Sequence, residues 1–505
     1  MSRNNSIAFT DEIDAPKGEP RTVEELPPRD INGLQWTLVV SLILSSTFLF
    51  AVDNTIIAGI QPVIGTHFNA VGKLNWLSIA PLIGVAPTSL VWGRIYQQFN
   101  AKWIYILCVT LFEVGSAICV TAPSTGVLIV GRVISGLGGS GMCVGAMALL
   151  AVTTTIHERP LYLGGTGLTW GLGAVLGPII GGAFTNSSAG WRGAFYINLY
   201  HSAVCAAICL FILPNRDPRP GVSFIDRARE IDYVGAALIF GTFASGFVAV
   251  SFGGIVYPWN SGKIIGLFVC SSILFIRLGI QQANTITSRR ILPVEFFKSR
   301  TILFLFAMTF AGGTAVFLPI YMVPIFFQLT RDDTALEASV RLLPFIFLIV
   351  FAVIGNGAIL SAYEYYMPWY TLGGILVITG GALMYTIEVD PNVFRAYSLS
   401  IIVGLSTGLL AQALFSIAQT TIETEFIASE VGFITCAQVS GVTIALAIVN
   451  SIFLNKSQPT IHAILPEVSM SDIQVAITGA GSVLIASLLL YKGRYIAKEV
   501  VKVVH

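Results

Sequence analysis

The stretch GGTGLTWGLGAVLGPIIGG, residues 164–182, decides the fold of this chain of 505 residues. It is apolar enough to lie in a lipid bilayer, yet eight of its nineteen residues are glycine. Gly173, Gly177 and Gly181 recur at every fourth position, so on a helix they line one face. A face without side chains lets a second helix approach closely, as in membrane proteins. Pro178 has no amide hydrogen and is expected to bend this helix.

The composition of the whole chain points to a membrane protein. Hydrophobic residues make up 54% of it and charged residues 11%, against about 25% charged in soluble domains. The mean hydropathy is +0.78. Such a chain cannot cover a water-facing surface and is expected to lie in a bilayer. A net charge of +1 gives no reason to expect a nucleic-acid partner.

The cysteines and histidines do not form a metal-binding pattern. The seven cysteines all fall in apolar runs, the five histidines are scattered, and neither CxxC nor HExxH occurs. The cysteines are therefore interpreted as small core residues, and no metal site and no cofactor are expected.

Apolar runs of about twenty residues predict fourteen transmembrane helices, which place both termini on one side of the membrane. Residues 1–33 are polar, with proline and mixed charge, and predict a disordered tail without a cleavable signal peptide. The predicted helices lie near residues 36–60, 76–93, 104–122, 127–152, 162–184, 194–213, 232–252, 263–281, 301–328, 339–360, 370–388, 397–418, 430–454 and 475–491.

Loop charge predicts which side the termini occupy. In the first half, arginine and lysine concentrate in the loops after even-numbered helices, which the positive-inside rule assigns to the cytoplasm together with both termini. In the second half, Arg331 and Arg341 fall on the opposite side and weaken the pattern. Sequons at Asn186 and Asn455 fall in predicted outer loops and are candidate glycosylation sites.

Several motifs occur in a fixed order along the chain. They are AVDNTII from residue 51, GRIYQQFNAKW from residue 93, GRVISGLG from residue 131, Gly173, Gly177, Pro178, Gly181 and Gly182 in the glycine-rich helix, and GWRGAFYIN from residue 190. Together they resemble the fourteen-helix drug:proton antiporters of the major facilitator superfamily, especially fungal exporters of toxins and secondary metabolites. The resemblance covers about residues 45–455.

Two stretches depart from the pattern of this family. The loop after helix two keeps Gly93, Arg94 and Lys102 as candidate cytoplasmic gating residues, but its usual aspartate is absent, with Tyr96 nearby. Helix two also reads WLSIAPL from Trp76 where the family has a tyrosine. We therefore expect the gating salt bridge to be missing and the substrate range to differ.

The resemblance implies two six-helix bundles related as parallel repeats, with two helices inserted between them. The corresponding segments are residues 34–214, 215–300 and 301–491, followed by a cytoplasmic tail at 492–505. A substrate cavity is then expected between the bundles, opening alternately to each side. The protein is expected to be a monomer.

Three ionisable residues inside predicted helices are candidates for proton coupling, because charge in hydrocarbon is costly. Asp53 and Arg132 fall at similar depth, which makes an ion pair possible. Both could instead be purely structural. Glu113 lies at the centre of helix three, either as a second proton site or as a neutral acid facing another helix. Arg192 and Asn198 are expected to fix a loop–helix corner.

Aromatic and amide side chains are candidates for lining the cavity, although helix packing or lipid contact is the more common role for any one of them. These are Trp170, Phe326, Phe327, Gln328, Gln412, Gln419 and Gln438.

The leading functional hypothesis is export of a small organic molecule by proton antiport across the plasma membrane or the vacuolar membrane. Import of iron–siderophore complexes is the alternative within transport. A membrane enzyme would need clustered His, Asp or Cys at membrane depth, and the sequence shows no such cluster. A sensing receptor would be expected to carry a long soluble tail, whereas the predicted C-terminal tail is only residues 492–505. No phosphate-binding loop for ATP occurs, so the energy source is expected to be an ion gradient.

Overall fold

The computed structural model describes residues 33–68, 74–154, 158–185, 187–215, 217–254, 257–286, 289–292, 294–331, 337, 340–363, 367–384, 393–411 and 426–464. The predicted fourteenth helix, both terminal tails and the sequon residue Asn186 lie outside these ranges.

The described part of the chain is helical and has no strands. Ten of its helices are long and apolar enough to cross a bilayer, and three shorter ones are also apolar. The helices are α1 Leu34–His67, α2 Leu74–Gln98, α3 Ala101–Thr121, α4 Thr125–Thr153, α5 Arg159–Thr185, α6 Gly193–Ala207 (continued by a π-helical turn, Ile208–Ile212), α7 Phe224–Arg229, α8 Tyr233–Phe252, α9 Gly262–Asn284, α10 Val294–Lys298, α11 Arg300–Arg331, α12 Leu343–Tyr363, α13 Met367–Met384, α14 Val393–Ala411 and α15 Ile427–Ile464.

The predicted all-helical membrane fold is confirmed, and thirteen of the fourteen predicted helices correspond to observed ones. Their ends differ by several residues. The largest difference is in α15, which continues to Ile464 instead of ending near residue 454. Asn455 therefore lies within a helix and not in the loop that was expected for it.

Polar side chains begin several of the helices. Ser124 caps α4, Asp232 caps α8 and Ser261 caps α9, each accepting a hydrogen bond from the backbone N–H three residues later. These bonds satisfy N–H groups that have no partner within the helix. The caps therefore fix where the chain leaves each loop and enters the apolar layer.

The helices pack in two groups. In the first group α1 packs on α5, both α2 and α3 pack on α4, and α6 packs on α3. In the second, α11 packs on α15, and both α12 and α13 pack on α14. The groups meet mainly where α2 packs on α15 and α5 packs on α12, with a smaller contact of α4 with α15, while the α8–α9 pair packs against α2.

Two opposite ends of the bundle are named here for use below. The Leu34 face is the end at which α1 begins. At this end Arg227 of α7 donates a hydrogen bond to the Gln98 carbonyl at the end of α2. The His67 face is where α1 ends; there the ring of His67 lies 5.8 Å from that of Trp191, just before α6.

The glycine-rich face of α5 lies directly against α1. A Cβ atom at Gly173 would come within 2.6 Å of the Ala51 Cβ, and one at Gly181 within 2.6 Å of the Ile56 carbonyl oxygen. Thr55 uses the space beside these glycines to donate a hydrogen bond of 3.2 Å to the Gly173 carbonyl. The two backbones approach this closely because α5 carries no side chains there.

A polar clasp on the Leu34 face ties the segment around α7 to the end of α2. Arg227 donates to both carboxylate oxygens of Asp217, at 2.7 and 2.9 Å, and to the Gln98 carbonyl at 3.1 Å. Arg219 pairs with Glu230 at 2.5 Å. The hydrogen bonds from Arg227 and Arg219 hold the pKa values of Asp217 and Glu230 below their ordinary values of 3.8 and 4.5.

We expect this clasp to be insensitive to pH across the neutral range. A carboxylate with a lowered pKa stabilises the folded state above its unfolded pKa, and that contribution is lost as pH falls through the folded value. Limited proteolysis of the α6–α8 segment should therefore accelerate only below the ordinary pKa values of 3.8 and 4.5. Arg227→Gln should accelerate it already at neutral pH, whereas Arg229→Gln, at an exposed position, should not.

Candidate functional site

Asp53 and Arg132 form an ion pair between α1 and α4. Arg132 Nη1 lies 2.5 Å from Asp53 Oδ2, and its Nη2 donates to the Asp53 carbonyl oxygen at 3.1 Å. The two residues are 2% and 0% exposed. Each of these buried charges is stabilised by the other, because an unpaired buried ion costs several kcal/mol. The ion pair that the similar depth of Asp53 and Arg132 in the membrane made possible is therefore present.

The second carboxylate oxygen of Asp53 is bound from α6. Asn198 Nδ2 donates to Asp53 Oδ1 at 2.8 Å and to Ser116 Oγ of α3 at 3.0 Å. The expectation that Asn198 fixes a loop–helix corner is therefore wrong. Arg192 does fix one, donating to the carbonyls of Val120 and Ala122 between α3 and α4.

Glu113 lies one turn closer to the Leu34 face than Ser116 on the same helix. Its Oε1 accepts a hydrogen bond from Ser202, one turn beyond Asn198 on α6. Its Oε2 is buried without a partner in the described structure. Glu113 and Asp53 thus belong to one polar layer shared by α1, α3, α4 and α6, and the partner of Glu113 had not been evident from the sequence.

The candidate gating residues occupy different places. Gly93 lies against α15, where an added Cβ would be 2.6 Å from the Ala428 carbonyl oxygen. Arg94 donates to Gln97 at 2.8 Å on its own helix. Lys102 donates to the Leu210 carbonyl at 2.7 Å, at the end of α6.

The structure also shows where the residues of the two stretches that depart from the family pattern, Tyr96 and Trp76, lie. Tyr96 points into the first helix group, where its hydroxyl donates to the Gly141 carbonyl at 3.0 Å. The ring of Trp76 lies 4.5 Å from that of Phe252 on α8, and Trp76 is not among the residues lining the central cavity.

A cavity with about 970 Å³ of empty space, counting its open mouth, lies between the two helix groups. None of the described residues that line it is charged. Trp170 of α5 faces Phe317 of α11 across it, with ring centroids 6.0 Å apart. The lining residues are Thr47, Phe50, Asn54, Leu82, Val85, Cys143, Ala146, Met147, Thr166, Trp170, Phe317, Tyr321, Thr435, Gln438, Val439, Val442 and Leu446.

Two of the seven sequence candidates, Trp170 and Gln438, line this cavity. Phe327 is buried next to Arg341 instead, with the guanidinium carbon 5.0 Å from the ring. The side chains of Phe326, Gln328, Gln412 and Gln419 lie outside the described part of the structure. Within that part, no group of three His, Cys, Asp or Glu residues is arranged to hold a metal ion.

Comparison with known proteins decides the family. The family model for the Major Facilitator Superfamily matches residues 43–446. The chain belongs to the major facilitator superfamily. Among curated relatives of this superfamily, it is 49% identical to the MFS-type transporter pgmG of Aspergillus terreus, with 90% of this chain and 82% of that protein aligned. It is also 42% identical to the efflux pump alnA of Emericella nidulans, with 92% and 85% aligned.

Solved structures of other superfamily members share the fold. The human organic anion transporter MFSD10 superposes with a TM-score of 0.56 at 13% identity, covering 91% of this chain and all of that chain. The proton:xylose symporter XylE gives the same TM-score at 12% identity, covering 93% and 96%. The family match, the transporter relatives and the apolar helices together make the protein a multi-pass membrane transporter of this superfamily and not an enzyme.

Sequence reasoning found the ion pair but missed most of its surroundings. Asn54, Tyr321 and Thr435 line the cavity, and Ser116 and Ser202 belong to the polar layer. The sequence signal for Asn54 was its place directly after Asp53, about 100° around the same helix.

Proposed function

We propose that the protein exports small organic molecules by proton antiport, with the cavity between the two helix groups opening alternately to either side of the membrane. The observation that carries this proposal is the buried Asp53–Arg132 pair next to the cavity-lining Asn54. A buried carboxylate must either pair with a cation or bind a proton. Its protonation is therefore linked to the conformation of the helices that hold the pair together.

Export is the favoured direction because two relatives are efflux pumps by name. These are alnA and also patC of Aspergillus clavatus, which is 37% identical over 93% of this chain. Loop charge assigns the Leu34 face and both termini to the cytoplasm. The plasma membrane is the proposed location, with the vacuolar membrane as the alternative, and the working unit is a monomer.

The proposed substrates are uncharged and weakly polar. The cavity offers rings from Phe50, Trp170 and Phe317 together with hydroxyl and amide groups, but no charged side chain among its described residues. Such a lining suits ligands with aromatic or aliphatic surface and a few hydrogen-bonding groups. A permanently charged ligand would lose its hydration there without gaining a counter-ion.

Accumulation in cells tests the proposal. A panel of labelled hydrophobic compounds, paired as neutral and charged analogues, should accumulate less in cells that express the protein, and the difference should disappear with a protonophore. The neutral members should be the ones exported. Uptake that rises with expression would instead indicate an importer, as for iron–siderophore complexes, and would overturn the proposal.

Trp170 provides a test of substrate contact inside the cavity. Its indole ring lines the cavity and faces Phe317, with the ring centroids 6.0 Å apart. We expect Trp170→Phe to raise KM about two- to tenfold with little change in the maximal rate, because the smaller ring leaves the substrate less apolar surface to pack against. Trp76→Phe, against Phe252 and away from the cavity, is the matched control and should leave KM unchanged.

A further inference from the structure

Glu430, in the first turn of α15, is a buried acid outside the site described above. The residue is 0% exposed, and neither of its carboxyl oxygens has a hydrogen-bond partner in the described structure. No backbone N–H at the start of the helix donates a hydrogen bond to it. An unpaired carboxylate in such a place is strongly disfavoured, and the usual response of a protein is to bind a proton.

Glu430 lies where the two helix groups touch at the Leu34 face. Just before it, a Cβ at Gly93 of α2 would come within 2.6 Å of the Ala428 carbonyl oxygen and 2.8 Å of the Ser429 Cα. Just after it, Gly432 faces the Ser89 carbonyl of α2. The backbones of α2 and α15 are thus in contact on both sides of the acid, and their contact keeps water from it.

No described charge compensates Glu430 from the helices packed on α15. Arg94 donates to Gln97 and has further contacts, Asp232 accepts bonds from Gln281 and Gln282, and Tyr96 bonds a carbonyl of α4. None of the described ionisable groups forms a hydrogen bond or ion pair with Glu430. On the halves of α2, α4, α8 and α11 nearest the Leu34 face, and on α10, whose Phe296 and Phe297 pack on Phe433, those groups are Arg94, Tyr96, Cys143, Asp232, Tyr233, Arg300 and Lys298.

We propose that Glu430 is a second proton-binding site, set in the gate that α2 and α15 form at the Leu34 face. Its carboxyl group holds a proton while the two helices are in contact. When they separate and admit water, the proton passes to water on that side and the carboxylate becomes hydrated. This inference rests on the proposed alternating access, and it adds a site in the second helix group, remote in sequence from Asp53.

Protonation of Glu430 therefore favours closure of the Leu34 face, and deprotonation favours its opening.

Hydrogen–deuterium exchange of the purified full-length protein, without substrate, tests this site. After correction for intrinsic exchange rates, protection of residues 84–98 and 427–436 in the wild type should fall at least about tenfold from about pH 6 to about pH 8. In Glu430→Gln, which mimics the protonated acid, protection should stay at the low-pH level throughout. Glu430→Leu, an apolar replacement, should behave in the same way.

Asp226→Asn is the matched control, because Asp226 is an exposed acid on the same face, and it should retain the wild-type pH dependence. An equal fall with pH in wild type and Glu430→Gln would overturn the proposal. A drop in low-pH protection in both Glu430 variants would also overturn the proposal, because it would show that the Glu430 carboxyl group is needed for the structure itself. The measurement needs no substrate, so an absence of export would leave its outcome unaffected.

Discussion

Asp53→Asn is expected to reduce proton-driven export by about tenfold or more. The substitution removes the negative charge 2.5 Å from Arg132, a side chain that is fully buried. Removing one partner of a buried ion pair costs about 3–5 kcal/mol, because the other charge is left without compensation. Both export and the thermal stability of the purified protein should therefore fall, and the two measurements are made on the same preparations.

A double variant separates coupling from structure. Asp53→Asn combined with Arg132→Gln leaves two neutral groups that can still form a hydrogen bond, so thermal stability should recover relative to either single variant. Export driven by a proton gradient should stay lost, since no group at this position can bind and release the proton. If export recovers together with stability, the pair is structural and proton coupling resides elsewhere.

Gly177→Ala is expected to destabilise the protein by up to about 2 kcal/mol. Its added Cβ would overlap the hydroxyl of Thr55 and come within 3.0 Å of the Ile56 backbone nitrogen. Inserting an atom into a packed interface costs about 1–3 kcal/mol, and the helix propensity of alanine over glycine offsets about 1 kcal/mol of that cost. Gly173→Ala should act similarly, because its Cβ would meet Ala51.

Gly182→Ala is the control for this interface. Gly182 belongs to the same motif, but an added Cβ there would have no atom within 4 Å other than its own helix neighbours. Its thermal midpoint should equal or slightly exceed that of the wild type. Thermal unfolding monitored by intrinsic fluorescence and the export rate are measured for the variants together. If Gly177→Ala is as stable as Gly182→Ala, the α1–α5 contact does not depend on bare backbone.

Hydropathy predicted where the helices lie because burial in a bilayer requires a long apolar run. It did not predict their ends. Helix α1 was expected to stop near residue 60, yet it continues to His67, and α15 continues through Asn455 to Ile464. Backbone hydrogen bonding can extend a helix beyond the apolar layer, where polar side chains reach water.

The ion pair was predictable because few ionisable residues fall within apolar runs, and the rise per residue places Asp53 and Arg132 at similar depth. The role of Asn198 was not predictable from the sequence, because the rotation of α6 about its axis decides whether that side chain faces a loop–helix corner or Asp53. Glu430 lay at the predicted start of a helix, where acids are ordinary. Its burial depends on α2 packing over it, a tertiary contact that local sequence does not encode.

Proton exchange for substrate can be measured directly in reconstituted vesicles. Purified protein is placed in vesicles with a pH-sensitive dye and a neutral compound identified in the cell assay, and a pH gradient is imposed in each direction. Antiport predicts that the compound accumulates on the acidic side against its own gradient, with protons moving oppositely and Asp53→Asn abolishing both fluxes. Movement that ignores the pH gradient, or that runs in the same direction as the protons, would contradict proton-coupled export.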